Sequence, residues 1–353
     1  MIEKQFKTWF RRSLLDWNLN KNDRKMPWKG IKDPYKIWLS EIMLQQTRVE
    51  QGMGYYNRFI KAFPTVRNLA QAYENEVFKL WEGLGYYSRC RNLIATAQRV
   101  SFELNERFPE TREGLLSLKG VGPYTAAAIG SFAFGLPLAV VDGNVMRVLS
   151  RVLGIKEPID LPIVRKKMEM LAGELLDNKN PAVYNQAIMD FGAVVCKPQQ
   201  PDCGQCPFHR KCFAYQHELQ ASLPANSKKV KSRERFMYYL ILEHGGKQLL
   251  RKRMGNDIWK GLYEFVLMEK DEPQELKMLK RLSSWGIPSS GIQQQVVEIS
   301  EEIVHQLTHQ KIRCQLIHIK IDQAISLDGY AWHKKNAIRQ FPFPRLLTRY
   351  LGW

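Results

Sequence analysis

Nowhere in the 353 residues do about 18 apolar residues follow one another, so nothing in the sequence reads as a transmembrane helix. Acidic residues are in short supply: 35 Asp and Glu face 53 Lys and Arg, for a formal net charge of +18. That imbalance disfavours acidic partners and points to a polyanion, most often nucleic acid. Cysteine is scarce too, six in all, and too unevenly spread for a secreted disulfide framework. Cys90 and Cys314 stand alone, whereas the other four crowd into the seventeen residues from Cys196 to Cys212. Such clustering suggests a metal centre in a reducing compartment. The opening segment, MIEKQFKTWFRRSLLDW, lacks a signal-peptide apolar core and reads as a surface helix. A cytoplasmic location is expected, nucleoid-associated if the source is bacterial. No internal repeat is evident.

What is present divides in two. To about residue 215 the apolar spacing is helical, as in PTVRNLAQAYENEVFKLWEG, with Gly83 as a stop, and VMRVLSRVLG, which stops at Gly154. Over 216–234 apolar residues thin out and charge accumulates, which reads as a linker. Beyond it RFMYYLILE, KQLLRKR and KIRCQLIHIKI are β-rich, with a helical stretch QELKMLKRLSSWG between them. A mostly α domain over 1–215 and an α+β domain over 235–353 are expected.

The clustered cysteines follow the spacing Cys196-x6-Cys203-x2-Cys206-x5-Cys212. Four thiolates so arranged suit a tetrahedral zinc or an iron–sulfur cluster. Structural zinc more often uses two Cys-x2-Cys knuckles, and only one is present. Spacing therefore leans towards a 4Fe-4S cluster. Lys197, Arg210 and Lys211 in the connecting loops would make such a module a platform for phosphates.

LKGVGPYTAAAI, from Leu118 to Ile129, has the punctuation of a helix-hairpin-helix spanning about 111–130. Gly120 and Gly122 are expected to adopt backbone conformations closed to residues with a Cβ, and Pro123 suits a first helical position. The open N–H groups of the second helix then face a phosphate. In a less basic chain the same stretch would be an ordinary interhelical turn.

Two carboxylates stand out. Ile37, Glu41 and Leu44 recur at helical spacing, which places Glu41 on an apolar stripe beside Trp38. Desolvation there raises its pKa and keeps a proton available near neutrality, as a general acid requires; a structural Glu capping a neighbouring helix is the alternative. Asp142 stands at the mouth of the helix VMRVLSR, where either it or Asn144 would serve as an N-cap. One protonated acid and one fixed anion are the combination that cleaves a glycosidic bond through a cationic sugar.

At this point the chain resembles the adenine DNA glycosylases of the MutY family, within the helix-hairpin-helix glycosylase superfamily. The resemblance rests on WLSEIMLQQTRVE, WEGLGYYSRCRNL, LKGVGPYTAAAI, VVDGNVMRVLSR, NQAIMDFGAVVC and the cysteine pattern, across most of the first two-thirds. DIWKGLYEF and HQLTHQKI are similar to the family's Nudix-like domain. The resemblance implies a two-domain chain: a helix-hairpin-helix glycosylase domain with an iron–sulfur module at about 190–215, followed by a Nudix-like domain that reads the lesion.

The implied reaction is removal of adenine paired with 8-oxoguanine or G in double-stranded DNA, by a monomer. Glu41 would protonate adenine N7, and Asp142 would stabilise the oxocarbenium-like sugar, directly or through a transient adduct. Tyr124 and Asn144 would hold Asp142 and the sugar. Trp28 and Gln186 would line the adenine pocket. Gln46 and Tyr86 would wedge beside the estranged base, Thr47 and Leu84 would touch 8-oxoguanine, and Gly120 and Gly122 would meet the DNA backbone. Bifunctional relatives have lysine where Tyr124 stands; a phenol forms no Schiff base, so little strand cleavage is expected. The family's Phe-Ser-His loop is Leu307, Thr308 and His309 here, which keeps a hydroxyl and loses a phenylalanine. No Glu-rich helix for magnesium accompanies it, so pyrophosphatase activity is not expected. Two rivals are an endonuclease III-like pyrimidine glycosylase/lyase, opposed by Tyr124 and the second domain, and a non-catalytic iron–sulfur DNA-binding protein.

Overall fold

A computed structural model describes residues 2–227 and 232–353. The chain forms two compact units, Met1–Gln71 with Asn92–Lys228, and Ala72–Arg91 with Lys229–Trp353. The first is helical. Among the described residues, no helix is long and apolar enough to cross a membrane.

The opening helix, Lys4–Lys21, is less superficial than its charge suggests. Phe10, Leu14 and Trp17 are buried; Phe10 stacks on Phe208 at 4.4 Å and Trp17 meets Phe191 edge-on at 5.1 Å. Charged residues cover only the outer face, and aromatic burial fixes the helix against Pro181–Val194. The periodicity of 64–83 also proves to be two helices, Val66–Gln71 and Glu74–Trp81. Tyr73 between them is extended, and Glu74 and Glu76 suit the start of a new helix. The division between the units falls at this break.

The expected hairpin is present as the helices Arg112–Leu116 and Pro123–Phe134. Thr111 caps the first by accepting from the Gly114 N–H at 3.1 Å. Gly120 has φ +78, and a Cβ there would stand 3.0 Å from the Asn92 side chain. Gly122 departs from expectation: at φ −91, ψ −179 its backbone is open to any residue. Nothing lies within 4 Å of where a Cβ would project, so nothing in the protein itself calls for glycine at this position.

Of the stretch read as a linker, Leu219 and Leu223 pack on the helical core, and Ser227 donates its N–H to Asp160 at 2.9 Å. Residues 228–231 lie outside the described residues.

The second unit is an eight-stranded mixed sheet with short helices. Its spine pairs Arg233–His244 in parallel with Gln310–Ile321, in register from Arg233↔Gln310 to Glu243↔Lys320. Strand Arg233–His244 is buried continuously from Arg235 to Glu243, as befits a central strand covered on both faces. The three β-rich runs are all strands.

Candidate active site

The Pro34–Leu44 helix begins at a proline and is capped by Asp33, which accepts from the backbone N–H groups of Tyr35 and Lys36. Eight of its eleven residues are buried, so a charge on its inner face is poorly solvated. Glu41 is one of them, 4% exposed. The Tyr124 hydroxyl hydrogen-bonds its carboxyl. Its other oxygen, Oε2, is buried and has no hydrogen-bond partner among the described residues. Burial raises Glu41 to about 7; the Tyr124 hydrogen bond pulls it down and the nearby Asp142 charge pushes it up. Burial and these two carboxylates together hold the Tyr124 phenol well above its ordinary range.

Asp142 is the N-cap of Gly143–Leu153. Its Oδ1 accepts from the Val145 N–H at 2.7 Å and its Oδ2 from the Asn144 amide at 2.6 Å. Asn144 is thus no cap but a brace on the capping carboxylate. Burial raises the Asp142 pKa, opposed by the Val145 and Asn144 hydrogen bonds and by the Arg147 charge. The brace continues inward. Arg147 donates to Asn144 Oδ1 at 2.8 Å, to the Gly192 carbonyl at 2.8 Å and to the Cys196 carbonyl at 2.8 Å.

Beside Glu41 opens a cavity of about 350 Å³, lined by Trp28, Lys29, Ile37, Phe132 and Gln186 among others. Trp28 is held there edge-on to Tyr56, with centroids 5.0 Å apart. The first unit therefore brings together Glu41, Tyr124, Asp142 and Asn144, with Trp28 and Gln186 in the wall beside Glu41. On the same unit Gln46 is exposed with φ +55, directly before Thr47. Gln45 ties this turn to the hairpin by donating to Thr125 Oγ1 at 3.2 Å and to the Gly120 carbonyl at 3.3 Å. A positive φ at a residue with a Cβ is uncommon.

Residues 39–173 match the HhH-GPD superfamily of base excision DNA repair proteins, and 237–352 match the NUDIX domain. The chain is 34% identical to the adenine DNA glycosylase of Mus musculus, over 90% of this chain and 72% of that one. It is 33% identical to the adenine DNA glycosylase of Buchnera aphidicola subsp. Baizongia pistaciae, over 96% and 95%. The chain belongs to the adenine DNA glycosylases. Among solved structures, a thermostable thymine-DNA glycosylase aligns with TM-score 0.56 and 29% identity, over 60% of this chain and 98% of that one. A trapped endonuclease III–DNA covalent intermediate aligns at TM-score 0.54 and 20% identity, over 62% and 100%, which is a likeness of fold.

This glycosylase holds its clustered cysteines against the helix that Asp142 caps. Arg151 of that helix, 3% exposed, donates to Cys196 Sγ at 3.4 Å and to the carbonyls of Lys197 and Pro198 at 2.7 and 3.1 Å. The Phe208 N–H donates to Cys206 Sγ at 3.4 Å. Burial raises the Cys206 thiol, and the neighbouring Cys196, Cys212 and Cys203 raise it further, so the four sulfurs feel one another. Yet among the described residues no three of His, Cys, Asp or Glu are gathered closely enough for one metal ion. Four cysteine sulfurs are a donor set that suits either a tetrahedral zinc or an iron–sulfur cluster.

The remaining residues lie in the second unit. Leu84 is buried at 4% exposure, whereas Tyr86 is 45% exposed with φ +49. The Arg89 guanidinium lies between the Trp81 and Tyr86 rings, 5.4 and 5.2 Å from their centroids, and bonds the carbonyl of Gly85 at 3.4 Å. Leu307, Thr308 and His309 form the tip of a hairpin between strands Ile303–Gln306 and Gln310–Ile321. Thr308 and His309 are exposed. The Thr308 hydroxyl bonds the Tyr86 hydroxyl at 2.8 Å, which joins two residues far apart in sequence.

Sequence reasoning missed Arg147, Arg151 and Asp190. The last is fully buried and receives Arg24, Lys29, Asn22 and Gln186. Its only signal was its position, one turn beyond Gln186.

Proposed function

We propose that this glycosylase hydrolyses the N-glycosidic bond of adenine opposite 8-oxoguanine or G in duplex DNA, as a monomer. What supports this most is the unpartnered, buried Glu41 Oε2 on a carboxyl raised to about 7, in the wall of a cavity. Glu41 donates its proton to adenine N7. The C1′–N9 bond breaks as the base leaves uncharged, and Asp142 stabilises the positive charge left on the sugar. Water adds its oxygen to C1′ and its released proton returns to the carboxylate. Tyr124 holds Glu41 by its hydroxyl, and Asn144 holds Asp142; with no amine at position 124, no Schiff base forms and the strand stays intact.

Extruding the adenine costs a few kcal/mol. Gln46 and Tyr86, both exposed and of positive φ, fill the gap; Thr47, Leu84, Thr308 and His309 contact the 8-oxoguanine. Gly120 and the clearance before Gly122 admit a DNA phosphate to the helix N-terminus. Cys196, Cys203, Cys206 and Cys212 hold a 4Fe-4S cluster, which when bound pins the basic loops between them. The purified protein is expected to contain about four iron and four sulfide per chain, and one zinc instead would overturn that assignment.

The test is single-turnover base release from a duplex with A opposite 8-oxoguanine, with A opposite T as control. Free adenine from the first and little from the second is expected. Equal release from both, or strong borohydride trapping, would overturn the substrate or the monofunctional mechanism respectively.

A further inference from the structure

Gln186 and Asp190 stand one turn apart on the Pro181–Val194 helix and so share a face. Gln186 lines the cavity with Glu41, whereas Asp190 is fully buried. Four donors converge on Asp190: Arg24 at 2.9 Å, Lys29 at 2.9 Å, Asn22 at 3.0 Å and the Gln186 amide nitrogen at 3.0 Å. A carboxylate bonded to donors alone accepts only, so Gln186 can show it the NH₂ group and never the carbonyl. Arg24 and Lys29 oppose any change, since losing the carboxylate would leave two cations against a buried site. The Gln186 carbonyl accepts no hydrogen bond among the described residues and is left as an acceptor for whatever enters the cavity.

We propose that Asp190 is a specificity-determining positioning residue: by fixing the Gln186 amide with its carbonyl free, it selects purines whose six-position donates a hydrogen bond. The inference rests on the adenine-release reading above. Adenine presents N7 as acceptor and N6–H₂ as donor on one edge, whereas guanine presents N7 and O6, both acceptors. A proton from Glu41 to N7 suits either base. Only the carbonyl tells them apart, and it does so by leaving an oxygen facing an oxygen when the wrong purine enters. A site built around such a bond rejects the analogue lacking it more strongly than shape alone can.

The test uses the full-length holoprotein and three duplexes, carrying adenine, hypoxanthine or unsubstituted purine opposite the same partner base. Single-turnover rate constants and duplex affinities are measured for the parent, Asp190→Asn and Gln186→Leu. Asparagine can donate as well as accept, which frees the glutamine to turn over. The adenine-to-hypoxanthine rate ratio of Asp190→Asn is expected to fall at least about tenfold below the parent's. The adenine-to-purine ratio of Gln186→Leu is expected to fall by a similar factor; an unchanged ratio overturns the carbonyl contact on which the role of Asp190 depends, whether or not Asp190→Asn folds. If all three bases slow by a common factor in the folded variant, Asp190 is merely structural and the proposal fails. A parent that releases no adenine at all would sink the adenine reading itself, a different result from an unchanged ratio.

Discussion

Glu41→Gln is expected to slow adenine release by about 10³-fold or more and, above neutral pH, to make the protein more stable. Glutamine keeps the shape and can still accept the Tyr124 hydrogen bond, but it has no acidic proton to give to N7. The stability gain has a definite sign. Burial raises the carboxyl from 4.5 to about 7; its folded form therefore holds a proton that the unfolded chain gives up. Stability associated with this group is complete below pH 4.5 and is lost as pH rises through 7. Glutamine does not titrate, so the variant escapes a loss of up to about 3 kcal/mol at pH 8. Thermal melting at pH 5 and pH 8, with base release on the same preparations, reads both effects. A variant that melts lower than the parent at pH 8, or that keeps substantial activity, would contradict the role given to Glu41.

Asp142→Asn is expected to separate folding from catalysis in the opposite way. Asparagine is as good an N-cap as aspartate, so the Val145 hydrogen bond survives and the Gly143–Leu153 helix stays capped. What disappears is the negative charge facing the sugar. Its amide also meets the Asn144 amide, which Arg147 holds by its oxygen, so one hydrogen bond is lost at a cost of about 1 kcal/mol. Base release is expected to fall by about 10³-fold with a melting temperature within a few degrees of the parent's. Retained activity would mean that Asp142 only caps. A collapse in melting would mean that its charge serves the fold, through Asn144 and Arg147, as much as the reaction.

Glu41, Asp142 and the central strands were readable because each breaks or obeys a local rule. An acid on an apolar stripe, an Asp before a helix and a run rich in aromatic and aliphatic residues all show within about ten residues of sequence. Where the fold departs from that reading, the cause is tertiary. Periodicity runs smoothly through Ala72 and Tyr73, yet the helix breaks there, where the chain passes from one unit to the other. The opening segment reads as a surface helix because the partners of Phe10 and Trp17, Phe208 and Phe191, lie nearly two hundred residues away. Asp190 and Arg147 were invisible for the same reason, since their partners come from distant segments. Gly122 illustrates the reverse error, since neither its backbone angles nor any close neighbour within the protein calls for glycine.

With Glu41 in the cavity wall and the Asp142 charge acting on it, the pH dependence of single-turnover adenine release is the most direct test of the proposed acid and anion. With the Glu41 proton leaving at about 7, the rate constant is expected to fall about tenfold per pH unit above that value. It is expected to fall again on the acid side as Asp142 takes up a proton. A rate constant that stays level or climbs between pH 7 and pH 9 would show that no proton held by Glu41 reaches the departing base.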